Sequence, residues 1–199
     1  MRIGVDIDSV LAEAMPTFLA SIKERHGLDL KIDDIKQWNM RWGDIDLYGE
    51  ICFVLDQPEL VANMPLMKGA KEAMEYMRRC HTVKLITSRA ESRKSQTKEW
   101  ALKHFGDIEV VHTNADKNGY NVDLLIDDAP HHIEAFAKKQ KWAIVFDQPW
   151  NHNEAFKGLP VLRAYNWEEV LFNVEIIRAL YDLEALAETF KYKEESIDS

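Results

Sequence analysis

The chain has 199 residues, 46% hydrophobic and 30% charged, which fits one soluble domain with room for a sizeable insertion. A formal net charge of −9 speaks against binding polymeric nucleic acid, which takes clustered Lys and Arg, but leaves room for a small anion at a locally positive site. Cys52 and Cys80 have neither zinc nor disulfide spacing, no apolar run reaches membrane-spanning length, and the N-terminus lacks a secretory pattern. A reducing cytoplasm and no membrane partner are therefore expected.

Residues 2–6 form the first short, β-branched strand pattern, ending on Asp6-Ile7-Asp8. More than seventy residues separate Asp8 from the next strand pattern at 82–87, too many for one crossover helix. A helix at 70–79 accounts for the crossover itself. The remainder carries helical patterns at 17–26, stopped by Gly27, at 33–38 and at 44–55. These predict a small helical insert over residues 15–64, lying over the strand ends as a cap, with 1–14 and 65–199 forming the core. Beyond it come a helix at 92–105, strands at 108–112 and 123–127, a helix at 130–140, and strands at 142–147 and 161–164. The strand patterns are continuously apolar, as in a parallel sheet buried on both faces, and their alternation with helices predicts a doubly wound α/β fold. The final helix pattern, 166–193, opens with Asn166 and Glu169 spaced as a capping box. Its apolar stripe packs on the sheet, or its distal half serves a homodimer.

Ligands of open parallel sheets sit outside the carboxyl ends of the strands. The residues expected there are Asp6 and Asp8, Thr87 and Ser88, Lys117, and Asp127 with Asp128. Two carboxylates about 5 Å apart repel by about 3 kcal/mol at an effective dielectric near ~20, so a divalent cation is expected among them. If the substrate is a phosphate ester, each group has a task. Asp6 attacks phosphorus, Asp8 protonates the leaving oxygen and later activates water, Thr87 donates to a phosphoryl oxygen, and Lys117 neutralises equatorial charge. Asp127, with Asp128 nearby, offers hard oxygen ligands for Mg2+. Any one of these motifs is common by chance. Their order, each at the end of an apolar run, is the signal.

That order resembles the haloacid dehalogenase-like (HAD) phosphohydrolases, whose four motifs match Asp6-Ile7-Asp8-Ser9-Val10, Thr87-Ser88, Lys117 and Asp127-Asp128. The insert resembles that superfamily's helical C1-type cap. VDIDSVLAE, LITSR, KHFG, NADK and DLLIDDAP are most similar to the 5′(3′)-deoxyribonucleotidase branch, Mg2+-dependent enzymes that remove phosphate from nucleoside monophosphates. The resemblance implies an aspartyl-phosphate on Asp6, with Asp8 as acid and base. It implies Mg2+ on Asp6, Asp127 and the Asp8 backbone carbonyl, and phosphate held by Thr87, Ser88 and Lys117, with Lys98 as a candidate second lysine. Two positions depart from the mammalian members: Ala14 stands where they have an aromatic residue, and Ala129 where they have a basic one. Trp38, Trp42 and Phe53 supply aromatic surface either for a base-stacking wall or for the insert's own core. His131 and His132 are read as opening the helix at 130–140 with Asp128 as its cap, and residues 149–153 as a loop near the same edge. A sugar phosphate substrate, or a phosphoacceptor module without turnover, are the competing expectations.

Overall fold

A computed structural model describes the protein at residues 1–113 and 117–197, with side chains through Ala187. The described elements run β1 (Arg2–Val5), α1 (Ala14–His26), β2 (Arg41–Trp42), β3 (Ile45–Asp46), α2 (Leu47–Leu55), α3 (Pro58–Ala62), α4 (Ala70–Cys80) and β4 (Thr82–Thr87). They continue with α5 (Lys94–Phe105), β5 (Val110–His112), β6 (Leu124–Asp127), α6 (Pro130–Ala137), β7 (Trp142–Phe146), β8 (Val161–Ala164) and α7 (Trp167–Ile197). Short 3-10 turns fall between several of them. Among the described residues no helix is long and apolar enough to cross a membrane.

Six strands make one sheet in the order β5-β4-β1-β6-β7-β8, every neighbouring pair parallel. All six expected strands are present, most of them a residue or two shorter than their apolar runs. The alternation of side chains along a strand divides the core. Ile3, Val5, Leu85, Leu124, Ile126 and Ile144 face one cluster with α4, α5 and α7. Ile86, Leu125, Ala143 and Val145 face the other, closed by Ile133 and Phe136 of α6. Gly4 lies between these layers without room for a side chain: a Cβ there would sit 2.7 Å from Ile86 Cδ1.

β1 lies between β4 and β6, so the chain moves outward on one side through β4 and β5, then returns across β1 to build β6, β7 and β8. The insert leaves the sheet just after β1. Its outgoing and returning strands of chain are joined: Glu13 N donates to Pro65 O, and Met67 N to Leu11 O, both at 2.8 Å. Within it, α1 is capped at its C-terminus by Gly27 at φ 71. The helix expected over 33–38 is only a 3-10 turn at Ile32–Asp34. Residues 44–46 are not helical either. They belong to the β2–β3 hairpin, whose turn uses Gly43 at φ 62. The Asp46 carboxylate then accepts from Gly49 N at 2.9 Å and starts α2.

At α7 the expected box is half formed. Asn166 Oδ1 accepts from Glu169 N at 2.9 Å, but the Glu169 carboxylate receives Tyr165 N and the Asn166 side-chain Nδ2 rather than the Asn166 backbone N–H. Trp167, Val170, Val174 and Ile177 bury the first half of the helix on the sheet, while Leu183 and Leu186 farther along are exposed.

Candidate active site

Parallel pairing brings the ends of β1, β4 and β6 side by side, with Val5 in register with Leu85 on one flank and Ile126 on the other. One residue beyond Val5, Asp6 N donates to Ile126 O at 2.9 Å, which places its carboxylate next to that of Asp127. One carboxylate oxygen from each of Asp6, Asp127 and Asp128 lies within 4.8 Å of the others, and all three residues are buried. Lys117, 1% exposed, inserts its ammonium between two of them, at 2.5 Å from Asp6 Oδ1 and 2.7 Å from Asp127 Oδ2. Asn114, Ala115 and Asp116 of the NADK match lie outside the described residues.

These groups open onto a cavity of about 260 Å3. Asp6, Asp8, Thr87, Ser88, Lys117, Asp127 and Asp128 all line it, so seven of the candidate residues converge. The insert forms the opposite wall with Phe18 of α1, Trp38, and Tyr48, Ile51, Cys52 and Leu55 of α2. The spacing 48, 51, 52, 55 is one helical face, which is why Phe53 points elsewhere. Phe53 is 38% exposed, lies under the Arg25 guanidinium and borders a separate groove. Trp42 sits in the hairpin, half-buried and off the cavity wall. Lys98 is also off it: the inward face of α5 carries Thr97, Trp100 and Ala101, which leaves Lys98 in solvent. Ala14 is buried at the start of α1, and Phe18, one turn on, supplies an aromatic ring to the cavity.

The electrostatics follow from burying three acids beside a fourth, Asp8, with few cations. Burial first, then Asp127 and Asp8, raise the Asp6 carboxyl to about 6 against the opposing pull of Lys117. Asp127 contacts the same ammonium yet shifts down, because Lys117 together with His132 outweighs its burial. His132 Nδ1 lies 3.2 Å from Asp127 Oδ2, and Ala129 N donates to Asp127 Oδ1 at 2.9 Å. Asp128 is pushed well up by burial and by the neighbouring Asp127 and Asp6. Lys117 is raised by Asp127 and Asp6 in spite of its burial. A cluster of hard carboxylate oxygens with this excess of negative charge fits a dication such as Mg2+.

Several side chains escaped the sequence reading. Asp128 does not cap α6: the N-cap is Ala129, without a side-chain bond, and it is Asp127 that takes its N–H. Asp128 instead accepts from Trp150 Nε1 at 2.8 Å, and Asn151 Nδ2 donates to its backbone carbonyl. The loop at 149–151 thus supports the acidic cluster from behind. His131 and His132 open α6 and also line the cavity. Arg89, 3% exposed, forks onto both oxygens of Asp8 at 2.8 and 2.7 Å. It was visible only as the last letter of LITSR. Arg93 reaches across to the insert and bonds the Asp56 carboxylate and Cys52 O.

Residues 1–180 match the family model described as 5′ nucleotidase, deoxy (Pyrimidine), cytosolic type C protein. The chain belongs to that family. It is a phosphoric monoester hydrolase of the HAD type. Among curated relatives of this family member, a 5′(3′)-deoxyribonucleotidase of Bacillus subtilis is 28% identical over 175 residues, 84% of this chain and 95% of the relative. A putative 5′(3′)-deoxyribonucleotidase of Staphylococcus epidermidis is 26% identical over 157 residues, 77% of this chain and 86% of the relative. Two solved structures share the fold. A haloacid dehalogenase-like protein of unknown function from Agrobacterium tumefaciens aligns at TM-score 0.61 and 12% identity, over 89% of this chain and 98% of its own. A hydrolase from Pseudomonas syringae aligns at TM-score 0.56 and 17% identity, over 89% of this chain and 99% of its own.

Proposed function

We propose that the protein is a cytoplasmic, Mg2+-dependent 5′(3′)-(deoxy)ribonucleotidase that releases phosphate from nucleoside monophosphates through an aspartyl-phosphate on Asp6. The observation that carries this reading is the Asp6–Lys117–Asp127 contact at the floor of a cavity whose far wall is aromatic. The floor suits a phosphoryl group and the wall, with Phe18, Trp38 and Tyr48, suits a base. Residues 15–64 act as the cap that closes this space.

In the first step an Asp6 oxygen forms a bond to phosphorus while the bond to the ester oxygen breaks. Asp8 gives its proton to that departing oxygen. Lys117 balances charge on the phosphoryl oxygens, and Thr87 and Ser88 donate to them. In the second step Asp8 takes a proton from water as the water oxygen attacks phosphorus, and the Asp6–phosphorus bond breaks to free phosphate. Asp6, Asp127 and the Asp8 backbone carbonyl, with Asp128 beside them, would hold Mg2+, which supplies positive charge to the phosphoryl oxygens when bound. Bound there, the ion would also offset the repulsion among these carboxylates.

Phosphate release from a panel of mononucleotides and sugar phosphates tests this. Mononucleotides should turn over with Mg2+, and Asp6→Asn should lower kcat by about four orders of magnitude or more. Full activity in Asp6→Asn would refute the mechanism. Ala129 leaves one edge of the cavity without a positive charge, so a sugar phosphate or another small phosphometabolite is the second reading. Sugar phosphates turning over far better than any nucleotide would establish it.

A further inference from the structure

Two arginines line this cavity without a task in the proposed reaction: Arg93 is engaged with the insert, at Asp56 and Cys52 O, and Arg89 faces the acids. Arg89 lies two residues past Thr87 at the end of β4, and its main chain is fixed on both sides. Arg89 N donates to Thr87 Oγ1 at 3.2 Å, and Arg89 O lies 2.9 Å from His112 Nδ1. Its guanidinium is almost fully buried, with Thr97 Oγ1 and Met64 Sδ each at 3.5 Å. From that fixed base the fork reaches Asp8 with Nε to Oδ2 and Nη2 to Oδ1.

Asp8 needs such a support. It precedes Ser9, a non-glycine residue at φ 61, in a tight turn where Leu11 N and Ala12 N both fold back onto Ile7 O. Its carboxylate is partly open to the cavity, at 19% exposure, and among the described residues the hydrogen bonds it receives come from Arg89. A carboxylate has about four acceptor positions, and a bidentate guanidinium occupies two, leaving a lone pair on each oxygen. The geometry therefore fixes the plane of the carboxylate while keeping acceptor positions free on the cavity side.

We propose that Arg89 is the positioning residue that orients Asp8 toward the ester oxygen of the substrate, and that it acts through Asp8 rather than on phosphate. This rests on the reading above, in which the bond from phosphorus to the ester oxygen breaks as the Asp8 proton moves onto that oxygen. In the first step a displaced Asp8 hurts only when the departing oxygen needs the proton. In the second step, where Asp8 takes the proton from water, the loss is the same for every ester. The ratio kcat/KM reads the first step alone. A nucleoside departs as a strongly basic alkoxide and needs the proton; p-nitrophenolate departs without it.

The test compares a nucleoside 5′-monophosphate with p-nitrophenyl phosphate, both with Mg2+. Arg89→Met should lower kcat/KM on the nucleotide by about 100-fold, the scale of a misplaced acid, and on the aryl ester by less than about fivefold. KM should rise by no more than about threefold on either. In an Asp8→Asn background Arg89→Met should cost nothing further. Arg89→Lys keeps the charge but loses the fork, so it should show the same leaving-group pattern with a smaller loss. It carries the same comparisons if the methionine variant fails to fold. An equal loss of kcat/KM on both esters, a raised KM with kcat preserved, or full additivity with Asp8→Asn would overturn the proposal. A wild-type protein inactive on both esters would instead sink the phosphatase reading beneath it, and activity with a leaving-group-blind loss would sink the Arg89 role alone.

Discussion

Lys117 is the residue on which the site's charge balance turns. Its ammonium is buried with one carboxylate from the end of β1 and one from the end of β6. Removing one partner of such a buried group strands the others, at about 3–5 kcal/mol. Lys117→Ala should therefore lose that much stability in urea denaturation without added metal, and a change below about 1 kcal/mol would show the acids to be compensated from elsewhere. At this scale the strand-end residues were legible because an apolar run announces where a parallel strand stops. Asp6, Thr87, Lys117 and Asp127 follow from that rule and the topology. Arg89 does not, because its contact with Asp8 spans 81 positions in the chain and depends on a rotamer rather than a pattern. Lys98 was misplaced for the complementary reason: on a helix, facing is decided by the phase of burial, and Thr97, Trp100 and Ala101 take the inward side.

At the scale of elements, the sheet, its covering helices and α1 of the insert with its Gly27 stop were readable, and the shorter pieces of the insert were not. Long apolar strands and amphipathic helices average over many residues. The insert is built from short pieces governed by single turn residues such as Gly43 and Asp46. The segment at 44–46 runs straight into the helical pattern of 47–55, but Gly43 in the left-handed region folds it into a hairpin. α2 begins only where Asp46 can cap it. Asp46→Ala should remove that cap at a cost of about 1 kcal/mol, read from the urea midpoint. It should also weaken the wall carrying Tyr48, Ile51, Cys52 and Leu55, because the cap sits at the N-terminus of that helix. The far end of the insert is held by the core: Lys103 Nζ donates to Ala62 O at 2.8 Å and Trp100 Nε1 to Met64 O at 2.9 Å.

For the whole molecule, the acidic cluster links stability to pH and, if a dication occupies it as proposed, to metal. Asp6, raised to about 6 by burial and its acidic neighbours, binds its proton more tightly in the fold than in the unfolded chain at about 3.8. Its contribution to stability is therefore fully present below about 4 and lost as pH rises through about 6. A dication bound there must displace that proton. The Mg2+-induced rise in Tm should be larger at pH about 7.5 than at pH about 5. A rise independent of pH would mean that the ion binds away from Asp6. The architecture itself, a parallel sheet with one long excursion after the first strand, was legible because strand and helix periods alternate along the chain. What the excursion does to the cavity was not, since that depends on which faces of short elements meet.

Trp150 gives the site a consequence of another kind. Its indole N–H is bonded to the Asp128 carboxylate, and its ring lies 4.9 Å from that of Trp38, which belongs to the insert and lines the cavity. One chromophore thus touches the acidic cluster through its nitrogen and the roof of the cavity through its face. Charge arriving at Asp128 and separation of roof from floor would alter its emission differently, the first through the indole dipole and the second through contact with the neighbouring ring. Subtracting the emission of Trp150→Phe from that of the native chain should isolate this signal from the other five tryptophans, without a label.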